Sequence, residues 1–269
     1  MKISFIGGGN MGEAIISALL SKKVTLPENI TVSDAIEARR EHLAQMHGVN
    51  VTPSNFEAIQ GTDVIVFAVK PQSLSDVMTD LTGHLRGAQV LLSIVAGARI
   101  ATLSDGLRHR RIVRSMPNTP AQIGEGMTVW TATEEVTEGQ KKEARSILGV
   151  MGKEIFVEDE KMIDMATAVS GSGPAYFFLF IEALTDAAVN VGLPREMAKT
   201  MVLQTMLGSG RLIEKSGTEP AELRRMVTSK GGTTEQALRV FEEEEFTILV
   251  AKAVDAAYTR ARQLGGEKV

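Results

Sequence analysis

The first chemical signal is a spacing of glycines. In Ile3-Ser-Phe-Ile-Gly-Gly-Gly-Asn-Met-Gly12, Gly7, Gly9 and Gly12 keep a G-x-G-x-x-G rhythm between a strand-like run and an amphipathic helix. In such a turn the first glycine permits the tight bend and the second lets a pyrophosphate approach the backbone. The third lets helix and strand pack closely. The helix start then offers unpaired N–H groups and the positive end of its dipole to phosphate. These residues predict a bound dinucleotide, NADP(H) or NAD(H), and hence hydride chemistry. A second strand ends at Ser33-Asp34. Asp34 suits a ribose diol and NAD, whereas Ser33, Arg39 and Arg40 suit a 2′-phosphate unless the arginines simply face solvent. Both coenzymes stay open.

Other candidates lie where strands end. Ala68-Val-Lys-Pro71 closes one strand, and Lys70, standing before a proline, reads as a cofactor contact rather than a catalytic lysine. Asn118, in Ser115-Met-Pro-Asn-Thr-Pro120, reads either as a nicotinamide contact or as part of a rigid turn. Thr228-Ser-Lys-Gly-Gly-Thr-Thr-Glu235 has the make-up of a second anion cradle. Its glycines free the backbone, and Ser229 with the N–H groups of Gly232, Thr233 and Thr234 suits a carboxylate at the start of a helix over Glu235–Phe241. Ser170-Gly-Ser-Gly-Pro-Ala175 follows a helix, so it is not a serine nucleophile elbow.

The elements that must position these residues change character along the chain. Strands are expected at Lys2–Ile6, Asn29–Ser33, Asp63–Ala68, Gln89–Ser93 and Arg111–Ser115, separated by helices, with two further strand-like runs at Met127–Thr133 and Glu154–Val157 able to extend the sheet. That alternation predicts an α/β fold with a doubly wound, mostly parallel sheet. From Lys161 to Leu264 the periodicity is helical throughout. The expected division is therefore a dinucleotide-binding domain over 1–159 and an all-α domain over 160–269.

Composition narrows the rest. The chain has 269 residues, a net charge of −4 and no cysteine. The charge argues against a nucleic-acid partner, and the missing cysteines exclude disulfides, thiolate nucleophiles and Cys-ligated metals. No signal peptide or membrane span is expected, and a cytoplasmic setting fits. The four histidines show no metal-ligand rhythm; His42 and His47, five apart, read as surface residues.

Phe5-Ile-Gly-Gly-Gly-Asn-Met-Gly12, Ala68-Val-Lys-Pro-Gln72, Met116-Pro-Asn-Thr-Pro120, Ser170-Gly-Ser-Gly-Pro-Ala-Tyr176 and Val227-Thr-Ser-Lys-Gly-Gly-Thr-Thr234 together resemble the Δ1-pyrroline-5-carboxylate reductase family. The resemblance runs in order along the whole chain. It implies a Rossmann-type domain, a helical dimerisation domain, and reduction of a cyclic imino acid to L-proline in a homodimer or an oligomer of dimers. The substrate would lie between one subunit's cofactor and the helical region of the dimer. By motif, Ile6, Gly7, Gly8, Gly9, Asn10, Met11, Ser33, Asn55, Ala68, Val69, Lys70, Pro71, Ala96 and Asn118 would contact the dinucleotide. Ser229, Gly232, Thr233 and Thr234 would hold the substrate, with Thr234 catalytic beside the ring nitrogen and Glu160 nearby. The family usually has proline where Lys230 stands, so this chain lacks a rigid kink and adds a charge beside the cradle. Met226 replaces an asparagine of some members, and that contact is not carried over. Two rivals remain: a hydroxyacid-dehydrogenase-like enzyme or other imine reductase, and a non-catalytic nucleotide sensor. Hydroxyacid dehydrogenases use a helix-borne lysine, and Lys199 and Lys215 lack a glycine-flanked setting.

Overall fold

Central strands as rich in Val, Ile, Leu and Phe as Ile3–Ile6, Val64–Phe67 and Val90–Ser93 must be covered on both faces, and the computed structural model, which describes residues 1–267, covers them with helices. The order along the chain is β1 (Ile3–Ile6), α1 (Asn10–Ser21), β2 (Ile30–Ser33), α2 (Glu37–His47), β3 (Asn50–Thr52), α3 (Asn55–Ala58), β4 (Val64–Phe67), α4 (Leu74–Leu81), β5 (Val90–Ser93), α5 (Ile100–Leu107) and β6 (Ile112–Met116). These are followed by β7 (Gly126–Ala132), α6 (Glu138–Leu148), β8 (Gly152–Phe156) and α7 (Lys161–Ala166). The eight strands run β3-β2-β1-β4-β5-β6-β7-β8, and only the β6–β7 pair is antiparallel. Both expected extra strands, β7 and β8, join the sheet. β3 and the single-turn α3 lack an apolar run long enough to signal them, so sequence periodicity missed both.

Two cores sandwich the sheet. Phe5, Ile15, Ile16, Leu19 and Trp130 belong to one, and Ile65, Phe67, Leu91, Leu103 and Ile112 to the other. Alternate residues of a parallel strand feed opposite faces, so Phe5 and Ile6 serve different cores. Because β1 lies between β2 and β4, the chain reverses its winding there, and a crevice opens at the carboxyl ends of these strands.

The chain divides into two compact units: Met1–Ser172 with the end of the chain from Ala256, and Gly173–Asp255. The strands do end before the expected division at 159–160. The first unit nevertheless continues through α7 and a π-helical turn, Thr167–Gly171, and a buried ion pair between Arg114 and Asp164 ties α7 to β6. The second unit contains α8 (Gly173–Asn190), α9 (Arg195–Ser216), α10 (Pro220–Met226), α11 (Thr233–Glu243) and the start of α12 (Phe246–Leu264).

Within the second unit α8 exposes much of its apolar surface. Phe177, Phe178 and Leu179 are 59%, 62% and 65% exposed. An apolar groove of about 530 Å³ runs between Phe177, Leu179, Phe180, Phe246, Leu249 and Val250. Large contiguous apolar patches mark association surfaces, and the covering partner expected here is another copy of the chain. Phe178→Glu should shift the protein from an assembly to single chains in sedimentation velocity, with far-UV circular dichroism unchanged. An unaltered assembly would show that this face is not the contact.

Candidate active site

The glycine turn is built by close backbone approach. Gly7 has φ of +98°, and a Cβ there would fall 2.9 Å from the Ala68 carbonyl; a Cβ on Gly12 would fall 2.8 Å from the Gly7 oxygen. Gly7 N–H donates to Ser33 O (2.8 Å), and Ala68 N–H to Ile6 O (2.9 Å), so the turn is clamped between the ends of β2 and β4. Gly9 is the N-cap of α1, no side chain caps the helix, and the Gly9 Cα faces open space. The first-turn N–H groups therefore stay available to a phosphate.

A cleft of about 720 Å³ opens at this turn. It is lined by Gly7, Gly9, Asn10, Ser33, Asn55, Ala68, Val69 and Lys70 of the expected contacts, together with Asp34, Arg39 and His42. Ser33 Oγ donates to Asn55 Oδ1 (2.6 Å), which joins β2 to α3 at the cleft wall. The fit to a dinucleotide is good: an open glycine at a helix start, flanked by a carboxylate and polar groups. Among the described residues no cluster is arranged to hold a metal ion.

Several expected contacts lie elsewhere. Ile6 and Gly8 are buried, so only backbone atoms are left to contribute, and the Gly8 N–H is already given to Asp34 Oδ2 (2.8 Å). Met11, Pro71 and Ala96 are outside the cleft wall. Asn118 is committed to the fold: its Nδ2 donates to Ser170 O (3.0 Å) and its Oδ1 accepts from Met127 N–H (2.9 Å). It splices the β6–β7 loop to the π-helical turn, and this favours the rigid-turn alternative over a nicotinamide contact.

Glu160 is also occupied. Its Oε1 accepts from Arg114 Nη1 (2.8 Å) and from the Ile100 N–H (2.8 Å) at the start of α5. Arg114 Nη2 pairs with Asp164 Oδ1 at 2.6 Å, both side chains being nearly inaccessible. Arg99 bridges Asp164 (3.2 Å) and Glu267 (2.5 Å). A buried guanidinium needs such partners, because an unpaired charge there would cost several kcal/mol. Sequence reading missed this network: nothing in the local pattern marks Arg114, inside a strand, as the partner of the α7 N-cap Glu160 and of Asp164 within α7, 46 and 50 residues on.

Glu13 is the other surprise. Arg39 Nη2 pairs with its Oε2. His42 Nε2 (2.9 Å) and His47 Nε2 (3.0 Å) both reach its Oε1. The two histidines are therefore not independent surface residues; both meet one carboxylate on α1. Partial burial alone would raise the pKa of Glu13, but hydrogen bonds from His47, Arg39 and His42 outweigh it and lower the carboxyl from 4.5 to about 2.

In the second unit, Gly232 is the N-cap of α11 and no side chain caps that helix. The helix starts at Thr233, two residues before the expected start. Gly232 N–H is bound to Ser229 O (3.0 Å), and Gly231 has φ of +73°, which makes Ser229–Gly232 a type II turn with Lys230 at its second position. That position favours proline without requiring it, and the turn forms here with lysine. Glu235 Oε2 accepts the Gly231 N–H (2.8 Å) and braces the same turn. The Gly232 N–H is thus spent on the turn, while the first-turn N–H groups of Thr233 and Thr234 have no acceptor within the helix.

Residues 160–264 match the pyrroline-5-carboxylate reductase dimerisation family, and residues 2–97 match the family described as NADP oxidoreductase coenzyme F420-dependent. A pyrroline-5-carboxylate reductase of Synechocystis is 41% identical over 265 residues, 98% of each chain. The structure of a pyrroline-5-carboxylate reductase from Coxiella burnetii aligns with a TM-score of 0.89 at 36% identity, over 100% of this chain and 99% of that one. That of Plasmodium falciparum pyrroline carboxylate reductase with NADP bound aligns at 0.89 and 34%, over 98% of each.

Two tests follow from the charges. Asp164→Asn should destabilise the fold by about 3–5 kcal/mol in urea unfolding, because it removes the buried carboxylate shared by Arg114 and Arg99 and leaves the buried Arg114 guanidinium with only the more exposed Glu160; a loss under ~1 kcal/mol, the scale of an exposed pair, would contradict the network's role. For Glu13 the folded pKa lies below the unfolded one, so its stabilisation is complete above pH 4.5 and lost as pH falls towards about 2. The melting-temperature gap between the native chain and Glu13→Gln should close across that window, and a gap independent of pH would contradict the assignment.

Proposed function

The chain belongs to the pyrroline-5-carboxylate reductase family, and on that footing we propose that it reduces 1-pyrroline-5-carboxylate to L-proline, the final step of proline biosynthesis, with NADPH or NADH as reductant. The observation that carries this reading is the presence in one chain of two helix starts behind glycine N-caps, α1 and α11. One suits a pyrophosphate, the other a small carboxylate. A sensor of nucleotides would have no use for the second. No helix among the described residues is long and apolar enough to cross a membrane. The matched dimerisation family supports self-association. We take the working form to be a homodimer or an oligomer of dimers, in the cytoplasm.

Bound at the switch-point cleft, the reduced nicotinamide would supply hydride to the C=N carbon of the imino acid. What the chain itself does is position and polarise. The N–H groups of Thr233 and Thr234, with the Ser229 hydroxyl, hold the substrate carboxylate at the positive end of the α11 dipole. The Thr234 hydroxyl hydrogen-bonds the ring nitrogen and orients the C=N bond. The imine arrives protonated, so its carbon is already electrophilic and no strong side-chain acid is needed. Catalysis then rests on orientation and fixed dipoles. Glu160 acts at one remove, by fixing Arg114 and the start of α5.

The direct test is oxidation of NADPH and NADH with pyrroline-5-carboxylate, run beside a panel of keto acids and other imines. Turnover restricted to the cyclic imino acid is expected; turnover of keto acids alone would favour a hydroxyacid dehydrogenase, and no turnover at all a sensor. Thr234→Ala should lower kcat/KM by roughly tenfold to several hundredfold, the scale of ~1.4–3.5 kcal/mol for one catalytic hydrogen bond. Unchanged kinetics would remove Thr234 from the mechanism.

A further inference from the structure

Asp34 and Arg39, which could read the 2′ position of the adenosine ribose, both line the cleft, with Arg40 next to Arg39 in sequence, and the hydrogen bonds of all three are already assigned. Asp34 Oδ2 accepts from Gly8 N–H (2.8 Å), and its Oδ1 accepts from Ile36 N–H (2.9 Å). The carboxylate is therefore fixed at the end of β2, where a ribose diol is expected. Arg40 Nη1 donates to the carbonyls of Asp34 (2.7 Å) and Ala35 (3.1 Å). Arg39 donates from Nε to the Gly8 carbonyl and from Nη2 to Glu13. Nε and Nη2 form one edge of the guanidinium fork that would otherwise grip a phosphate with two parallel bonds. In this structure that edge is spent inside the protein.

We propose that Glu13 determines coenzyme specificity by latching Arg39 to the glycine turn. A 2′-hydroxyl is accepted by the site as it stands, beside Asp34. A 2′-phosphate is accepted when Arg39 exchanges Glu13 for the phosphate. His42 and His47 keep that exchange inexpensive, since both donate to Glu13 Oε1 and the carboxylate retains partners after Arg39 leaves. The latch places NADH and NADPH in competition on nearly equal terms, and its strength sets the ratio. This rests on the reading of the cleft as a nicotinamide-dinucleotide site.

The experiment is a fluorescence titration of the full chain with NADPH and with NADH, giving Kd for each. It compares the native protein with Glu13→Gln, Arg39→Ala and the double variant. Glu13→Gln keeps the side-chain shape and removes the charge; it should tighten NADPH relative to NADH by roughly two- to fivefold, the range of a partly exposed ion pair. Arg39→Ala should weaken NADPH several-fold more than NADH, and Glu13→Gln should give no gain in that background. A ratio unmoved by Glu13→Gln, or moved towards NADH, would overturn the proposal. So would an equal effect of Arg39→Ala on both coenzymes. Each readout is a ratio on one protein sample, so partial loss of folded material cancels. No imino acid is present, so failure here leaves the assigned reaction intact, and failure of turnover leaves this ratio interpretable.

Discussion

The first turn of an α-helix has N–H groups that nothing within the helix can accept, and among the described helices that lack a side-chain cap two stand apart, α1 and α11. Glycine precedes each of them, at Gly9 before α1 and at Gly232 before α11. An N-cap side chain would have satisfied these donors locally and added stability, at about 1 kcal/mol each. α3 and α6 use that option, through Ser54 and Thr137. At α1 and α11 the donors remain available to ligands, and the surrounding structure fixes where they point. For α1 this means the clamp of Gly7 between β2 and β4; for α11 it means the type II turn braced by Glu235.

Fixed charge then tunes each helix start. Beside α1, Asp34 and the Arg39 that pairs with Glu13 bring both signs to one wall of the cleft. Beside α11, Glu235 accepts the Gly231 N–H while Lys230 occupies the turn, so the added cation has an anion within the same short segment. The turn at Lys230 forms without the proline usual in the family, held by the Gly232 N–H to Ser229 O and Gly231 N–H to Glu235 Oε2 hydrogen bonds. Deeper in the first unit, the Arg114–Asp164–Arg99 network does no chemistry of its own. It fixes α7 and, through Glu160, the start of α5.

How much of this was readable from sequence depended on whether the signal was local. Gly7–Gly9–Gly12 and Ser229–Thr234 are contiguous motifs whose physics is that of a turn entering a helix, and both form such a turn, although α11 starts two residues earlier than expected and the Gly232 N–H is used within its turn. The parallel strands β1, β4 and β5 were equally legible, because burial on both faces writes itself as a near-continuous apolar run. β3, only three residues long and half exposed, left no such trace. The role of Asn118 was ambiguous because an asparagine in a loop can serve a ligand or the backbone, and only the positions of Ser170 and Met127 decide between them. Arg114 with Asp164, and Glu13 with His42 and His47, pair residues distant in the chain, so neither cluster has a sequence signature.

The central claim is that α11 recognises the substrate through its carboxylate. It is tested most directly by comparing kcat/KM for 1-pyrroline-5-carboxylate with that for 1-pyrroline, the same ring without the carboxylate. If the helix start holds that group, 1-pyrroline should be turned over at least about a hundredfold less efficiently, since a charge-assisted pair of hydrogen bonds is worth roughly 3 kcal/mol or more. Comparable efficiency for the two rings would mean that the N-terminus of α11 is not where the substrate is held.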